Sequence, residues 1–159
     1  MNVLALNAKL TGRLAKIGDA LQPAVLLAIR LYWGWSFFRT GSGKLMHLDR
    51  TTEFFASLGV PLPHLNATIA GAIECSGGLL LLVGLATRVV TLPLMFIMAV
   101  AYATADRDAL TAIWSDPDKF TGATPFLFLF AVVILFAFGP GRLSLDELLG
   151  RLARTHTSR

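Results

Sequence analysis

Four long apolar stretches alternate with short polar segments along this chain, and the alternation predicts a membrane protein. The stretches cover residues 23–41, 64–86, 89–105 and 121–138. A helix needs about 20 predominantly apolar residues to cross the hydrocarbon core of a bilayer, and all four stretches are close to that length. We therefore predict an all-α integral membrane protein in which the four spans form a four-helix bundle.

Three further segments have apolar and polar residues on opposite sides of a helix, and we predict that they lie at the membrane surface. Residues 1–22 precede the first span, residues 42–66 connect the first two spans, and residues 142–159 follow the last span. The chain is thus divided into an amphipathic N-terminal helix, a four-span domain over residues 23–141 and an amphipathic tail.

Capping residues predict where two of these surface helices begin and end. Thr51 or Thr52 can cap the connecting helix, and Gly59 can end it ahead of two prolines. In the tail, Ser144 can cap a helix whose first turn contains the acidic residues 146–147.

Composition supports this interpretation and narrows the function. Hydrophobic residues make up 55% of the chain, charged residues 15%, and the mean hydropathy is +0.64, which is too apolar for a soluble domain. The net charge of +4 is spread between the spans, which argues against nucleic-acid binding. A single cysteine, Cys75, excludes an internal disulfide and a CxxC redox pair. The sequence contains no metal, haem or nucleotide motif.

One carboxylate, Glu74, lies near the middle of the second predicted span. An acidic group at this depth costs a few kcal/mol and normally has a partner. Three small residues share its helical face, namely Ala67, Gly71 and Gly78. Small residues let another helix approach closely, so we expect the partner on a neighbouring helix.

The first span contains a matching stripe, whose members recur every three or four residues and therefore share one helical face. Arg30 begins this stripe within the membrane, and we predict that it is the counter-ion of Glu74. Arg39 is the alternative partner, but it does not lie on the stripe. The stripe consists of Arg30, Gly34, Phe37, Gly41 and Lys44.

Residues on and near these stripes are candidates for a functional site. Glu74 and Arg30 are the candidate catalytic residues, Glu74 for proton transfer and Arg30 for holding negative charge. The same two residues could instead form a structural ion pair that fixes helix register. His47 and His64 lack HxH or HxxxH spacing, so we expect no metal site. The candidate ligand-binding residues are Lys44, Trp33, His47 and Tyr102.

Basic residues predict the orientation in the membrane. With four spans, both termini lie on one side, which contains eight lysines and arginines against five on the other. The positive-inside rule therefore places both termini in the cytoplasm. The eight are Lys9, Arg13, Lys16, Arg88, Arg142, Arg151, Arg154 and Arg159; the five are Arg39, Lys44, Arg50, Arg107 and Lys119.

Together these residues resemble a known family. The motif R-x3-G-x2-F-x3-G-x2-K beginning at Arg30 is followed by TTEFFASLGVP at residues 51–61 and by the glycine-flanked Glu74. GLATR at residues 84–88 and GPGRLSLDELL at residues 139–149 complete the pattern. In this order and spacing, over most of its length, the chain is similar to the DoxX family of small bacterial membrane proteins.

The resemblance implies a four-helix bundle in the bacterial cytoplasmic (inner) membrane and a connection to redox chemistry. A related family includes the small subunit of a thiosulfate:quinone oxidoreductase. The candidate cofactor is therefore a quinone, and the candidate partners are a redox protein and the lipid bilayer. We hypothesise that the chain is the membrane subunit of a quinone- or thiol-linked oxidoreductase complex, with a polar site around Arg30 and Glu74. The residues leave open whether the chain is itself an enzyme and how many copies assemble.

Two alternatives come from other functional classes. The chain could be a non-catalytic anchor or assembly factor for a partner protein, with Glu74 serving only the stability of the fold. A small-solute transporter is disfavoured, because four spans without an internal repeat or a broken-helix pair offer little basis for alternating access.

Overall fold

The computed structural model describes residues 3–157, with side chains from residue 11 to residue 154. Over these residues the chain is helical and contains no strand, which confirms the all-α prediction. The helices, in chain order, are α1 (Val3–Met46), α2 (Leu48–Ser57), α3 (Pro63–Val83), α4 (Thr87–Thr104), α5 (Arg107–Thr111), α6 (Pro117–Gly122), α7 (Thr124–Phe138) and α8 (Leu145–Thr157).

The four longer apolar segments pack side by side in a closed order. Helix α1 contacts α3 and α7, and α4 contacts the same two helices from the other side. Each helix contributes fully buried side chains to a common core, among them Phe37 from α1, Leu81 from α3, Leu94 from α4 and Val132 from α7. Helices α3 and α4 are long and apolar enough to cross a membrane, while α7 is more apolar than either but has 15 residues.

Helix α1 is continuous through the predicted boundary between residues 22 and 23. Pro23 lies inside it and does not end it. The backbone therefore has no break between the predicted surface helix and the first span. Residues 11–22 are all exposed, as expected for a segment outside the core. Two of the basic residues used to predict the orientation, Lys9 and Arg159, lie outside the described side chains.

The connecting helix begins earlier than its threonines predicted. Helix α2 begins at Leu48, and His47 occupies the N-cap position without a side-chain hydrogen bond. Thr51 lies inside the helix, where its hydroxyl donates to the carbonyls of Lys44 and His47. Gly59, with a φ of 72°, follows the helix end as expected from its tolerance of positive φ.

Helix α7 begins later than predicted, whereas α8 begins at its predicted cap. The segment between α4 and α7 folds into two short helices, so α7 begins at Thr124, three residues later than predicted. In the tail, the Ser144 hydroxyl accepts a hydrogen bond of 3.2 Å from the backbone N–H of Glu147, which confirms the predicted cap.

Candidate functional site

Glycines bring α1 and α3 into backbone contact. A Cβ atom at Gly34 would lie 3.0 Å from the carbonyl oxygen of Gly78, and a Cβ at Gly41 would overlap the backbone nitrogen of Cys75. Gly71 in turn packs against the side chain of Leu45. The order of these contacts shows that the two helices are antiparallel. Because glycine has no side chain, the two backbones can approach closely only where these glycines face the other helix, and this fixes the register.

In this register Glu74 pairs with Lys44. The Lys44 ammonium lies 2.5 Å from both carboxylate oxygens of Glu74. The two side chains differ in their access to solvent, because the Glu74 side chain is 1% exposed and that of Lys44 is 29% exposed. The pair therefore connects a buried carboxylate to the surface of the protein through the lysine.

Side-chain direction explains why Lys44 is the partner. Helical side chains tilt toward the N-terminus of their own helix. In an antiparallel pair, Lys44 near the end of α1 and Glu74 in the middle of α3 tilt toward each other. Arg30 lies opposite Leu81, seven residues or about 10 Å along α3 from Glu74, and tilts the other way.

Arg30 is buried at the other end of the α1–α3 contact, so its predicted pairing with Glu74 is wrong. Arg30 is 2% exposed, and its guanidinium donates to carbonyl oxygens in two other segments of the chain, residues 81–82 and 140–143. The acceptors are Leu81 at 2.9 Å, Leu82 at 3.2 Å, Pro140 at 2.8 Å and Leu143 at 3.0 Å. A planar group with five donors suits such a set of carbonyls, and a point charge such as lysine does not.

A glycine makes room for this guanidinium. Gly84 follows α3 with a φ of 69°, and a Cβ atom there would lie 2.5 Å from the guanidinium carbon of Arg30. Glycine is thus required at position 84 of the GLATR motif for two reasons: the backbone there has a positive φ, and the Arg30 guanidinium leaves no room for a side chain.

The C-terminal segment is held to the same end of the molecule by Asp146. Its carboxylate accepts hydrogen bonds from the backbone N–H groups of Ala86 (2.7 Å) and Thr87 (3.0 Å), at the start of α4. Its own N–H donates to the Gly84 carbonyl at 3.0 Å. Asp146 therefore caps a helix 59 residues earlier in the chain. The sequence predicts Asp146 only in the first turn of its own helix, and the LDELL segment alone gives no signal of this contact.

The other predicted ligand-binding residues have surroundings of their own. Trp33 packs edge-to-face against Phe128, with ring centroids 4.9 Å apart. The Tyr102 hydroxyl donates to the carbonyl of Phe120 at 2.8 Å, and the two rings stack. His47 is exposed at the start of α2. These contacts are those of packing and interface residues.

The cysteine Cys75 directly follows Glu74 in α3. The sulfur of Cys75 is 3.4 Å from the Ser42 hydroxyl, across the α1–α3 contact. Cys75 is half-buried and unbridged. Within residues 11–154, no group of three or more His, Cys, Asp or Glu side chains is arranged to hold a metal ion.

Comparison with known proteins identifies the family. The family model DoxX matches residues 25–107, which include Arg30, Lys44 and Glu74. The chain belongs to the DoxX family. No solved structure matches it significantly.

Two relatives of this DoxX protein are similar over most of its length. One is "Uncharacterized membrane protein Rv3486" of Mycobacterium tuberculosis, with 32% identity over 143 residues, 82% of this chain and 85% of that protein. The other is "Inner membrane protein YphA" of Escherichia coli, with 32% identity over 134 residues, 80% of this chain and 92% of that protein. The DoxX protein is therefore a membrane protein.

A third relative is similar over a shorter part. It is "Putative oxidoreductase CatD" of Bacillus subtilis, with 42% identity over 64 residues, 40% of this chain and 46% of that protein.

Proposed function

We propose that this DoxX protein is the membrane subunit of a quinone- or thiol-linked redox complex, and that the Lys44–Glu74 pair forms the polar part of its site. The observation that carries the proposal is a fully buried carboxylate whose only described ion-pair partner is a lysine that reaches the protein surface. Buried ionisable groups within membrane segments are by default candidates for function. The partial relative named "Putative oxidoreductase CatD" supports a redox class of reaction.

The proposal includes a topology. Helices α1 from Pro23 onward, α3, α4 and α7 form the four-helix bundle that crosses the inner membrane, and both termini lie in the cytoplasm. The closed packing order of these helices and the excess of basic residues beside the termini support this arrangement. The pair then lies toward the outer side, near α2, while Arg30 lies toward the cytoplasm.

The residues at the pair suit a quinone. A bound quinone supplies reversible uptake of two electrons and two protons. Lys44 is exposed enough to donate a hydrogen bond to a quinone oxygen and to hold negative charge there. Glu74, buried behind it, can accept or release a proton at the lysine-facing oxygens.

A second function, a non-catalytic anchor or assembly factor, is favoured by a different observation. Apolar side chains are exposed on segments outside the packed helices, where a partner protein or the membrane surface could cover them. These side chains, each more than half exposed, are Leu14, Ile17 and Leu21 on α1 and Leu148, Leu149 and Leu152 on α8.

The two functions are distinguished by quinone content. The full chain is purified in mild detergent, and bound quinone is extracted and measured by mass spectrometry in the wild type, Lys44→Met and Glu74→Gln. Glu53→Gln is the matched control, because it removes a carboxylate from the exposed side of α2, which packs against α3. Circular dichroism confirms equal folding.

We expect about one quinone per chain in the wild type and the control, and loss in both pair variants. A well-folded wild type without quinone overturns the redox site and leaves the anchor function. Equal quinone in all four proteins overturns the assignment of the site to Lys44 and Glu74.

A further inference from the structure

A cleft of about 660 Å³ opens at the end of the molecule that holds Arg30, far from the Lys44–Glu74 pair. Its walls come from α1, from the start of α4, from the 138–142 segment and from the start of α8. The volume lies in the range of small-molecule sites. The cleft lies where α4 begins at Thr87 and α7 ends at Phe138, which is the depth of the lipid headgroups for helices that cross a membrane.

Some of the charged side chains that line the cleft are already bound to other groups of the protein, and the others are available to a ligand. Asp146 caps α4, and Glu147 accepts a hydrogen bond of 3.0 Å from Arg151, which lowers the pKa of the Glu147 carboxyl. Arg88 is exposed, and the one described hydrogen bond of its side chain is a 3.3 Å contact with the Ala137 carbonyl. Arg142 and Asp19 are also exposed and take part in no described ion pair. The available charges are thus two guanidinium groups and one carboxylate.

The cleft continues into apolar surface. Val89 and Phe138 line it and are 68% and 62% exposed, and Phe96 lies two turns further along α4 with 69% of its surface exposed. In a membrane protein such a surface faces acyl chains. A ligand with a charged head and long apolar chains therefore fits the cleft and the surface beside it better than a fully polar ligand.

We propose that this cleft binds a phospholipid whose headgroup contains a phosphate and an amine, as in phosphatidylethanolamine. Arg88 and Arg142 hold the phosphate, and Asp19 holds the ammonium. Arginine donates two parallel hydrogen bonds to phosphate oxygens, and basic pockets between membrane helices on the cytoplasmic side are suited to lipid headgroups. The ammonium distinguishes this headgroup from an anionic one, because Asp19 would repel phosphatidylglycerol.

Native mass spectrometry of the full chain tests the assignment. The detergent-purified protein is incubated with dioleoyl phosphatidylethanolamine or dioleoyl phosphatidylglycerol, and bound lipid is measured. We expect the wild type to prefer the ethanolamine lipid. Arg142→Gln should weaken binding of both lipids about fivefold, and Arg88→Gln should do the same. Asp19→Asn should abolish the preference while both lipids still bind.

Arg50→Gln is the matched control, because it removes an exposed arginine from α2 at the opposite end. Arg142→Gln carries the test if Arg88→Gln misfolds, since the Arg142 side chain makes no described hydrogen bond. A loss in Arg50→Gln equal to that in Arg142→Gln overturns the site. Unchanged lipid preference in Asp19→Asn overturns the role of the carboxylate. Displacement of the lipid by soluble phosphoethanolamine at equal concentration overturns the lipid assignment in favour of a free phosphate ester.

Discussion

Arg30 joins three segments that are distant in the chain, and its replacement by lysine tests this role. An ammonium cannot reach the carbonyls of Leu81, Pro140 and Leu143 together, so buried carbonyls lose their donors. We expect Arg30→Lys to lower the free energy of unfolding by roughly 2–5 kcal/mol. Thermal unfolding in detergent measures the loss. The control Arg39→Lys, at an exposed position, should be close to wild type, and equal stability of the two variants would contradict the role of Arg30.

The unequal exposure of Lys44 and Glu74 predicts unequal effects of their substitution. Lys44→Met leaves a carboxylate in an apolar site, where it must take up a proton or remain unpaired, and we expect a loss of about 3 kcal/mol. Glu74→Gln leaves an ammonium that reaches solvent, and the loss should be about 1 kcal/mol. The double variant should recover to within about 1 kcal/mol of the wild type. Thermal unfolding of the three proteins checks this order, and a double variant less stable than Lys44→Met would contradict it.

The sequence contains enough information to identify Lys44 as the ion-pair partner of Glu74. Gly34 and Gly41 are seven residues apart, as are Gly71 and Gly78, and matching the two spacings in antiparallel order gives the observed register. In that register side-chain tilt directs Lys44, and not Arg30, toward Glu74. The cap formed by Asp146 could not be derived in this way, because no local pattern reports a contact between segments this far apart.

Among the structural elements, the α1–α3 contact depends on glycines of α1 that face α3. Substitutions at Gly41 and Gly43, two residues apart on α1, distinguish the effect of helix packing from the effect of helix propensity. A Cβ at Gly41 would overlap the backbone of Cys75, whereas a Cβ at Gly43 has no atom within 4 Å. We expect Gly41→Ala to cost about 1–3 kcal/mol through forced separation of the helices. Gly43→Ala should stabilise the protein by up to about 1 kcal/mol, since alanine favours a helix. Unfolding temperatures of the two variants measure the difference, and a similar shift in both would show that helix propensity alone decides.

Element boundaries were less predictable than element types. The apolar stretches correctly indicated α3, α4 and α7, because burial of long apolar helices leaves a strong pattern in the sequence. The first span was predicted to begin at residue 23, yet α1 begins much earlier and continues through Pro23. The start of α2 at Leu48 was missed because its N-cap residue, His47, is not a typical capping side chain.

On the scale of the whole molecule, the two polar clusters lie at opposite ends of the α1–α3 contact and have different chemistry. At one end, Arg30 and Asp146 bind backbone groups and tie the C-terminal segment to the turn between α3 and α4. At the other end, the Lys44–Glu74 pair leaves one charged group accessible. Four of the five Arg30 donors are used by backbone carbonyls, so this cluster serves stability, whereas the accessible pair can still bind a ligand. Of these two clusters, Arg30 with Asp146 is therefore the structural one, and the Lys44–Glu74 pair is the proposed redox site.

The orientation of the whole molecule in the membrane can be measured by cysteine labelling, because the chain has a single native cysteine that can be replaced. In a Cys75→Ser background, Ser115→Cys places a thiol in the segment between α5 and α6, and Gly150→Cys places one in α8. Because eight basic residues flank the termini against five on the other side, we expect Ser115→Cys to react with a membrane-impermeant maleimide in intact spheroplasts. Gly150→Cys should react only after lysis. The reverse pattern would invert the protein in the membrane and move the Lys44–Glu74 pair to the cytoplasmic side, while reaction of both thiols before lysis would exclude four spans connected in this order.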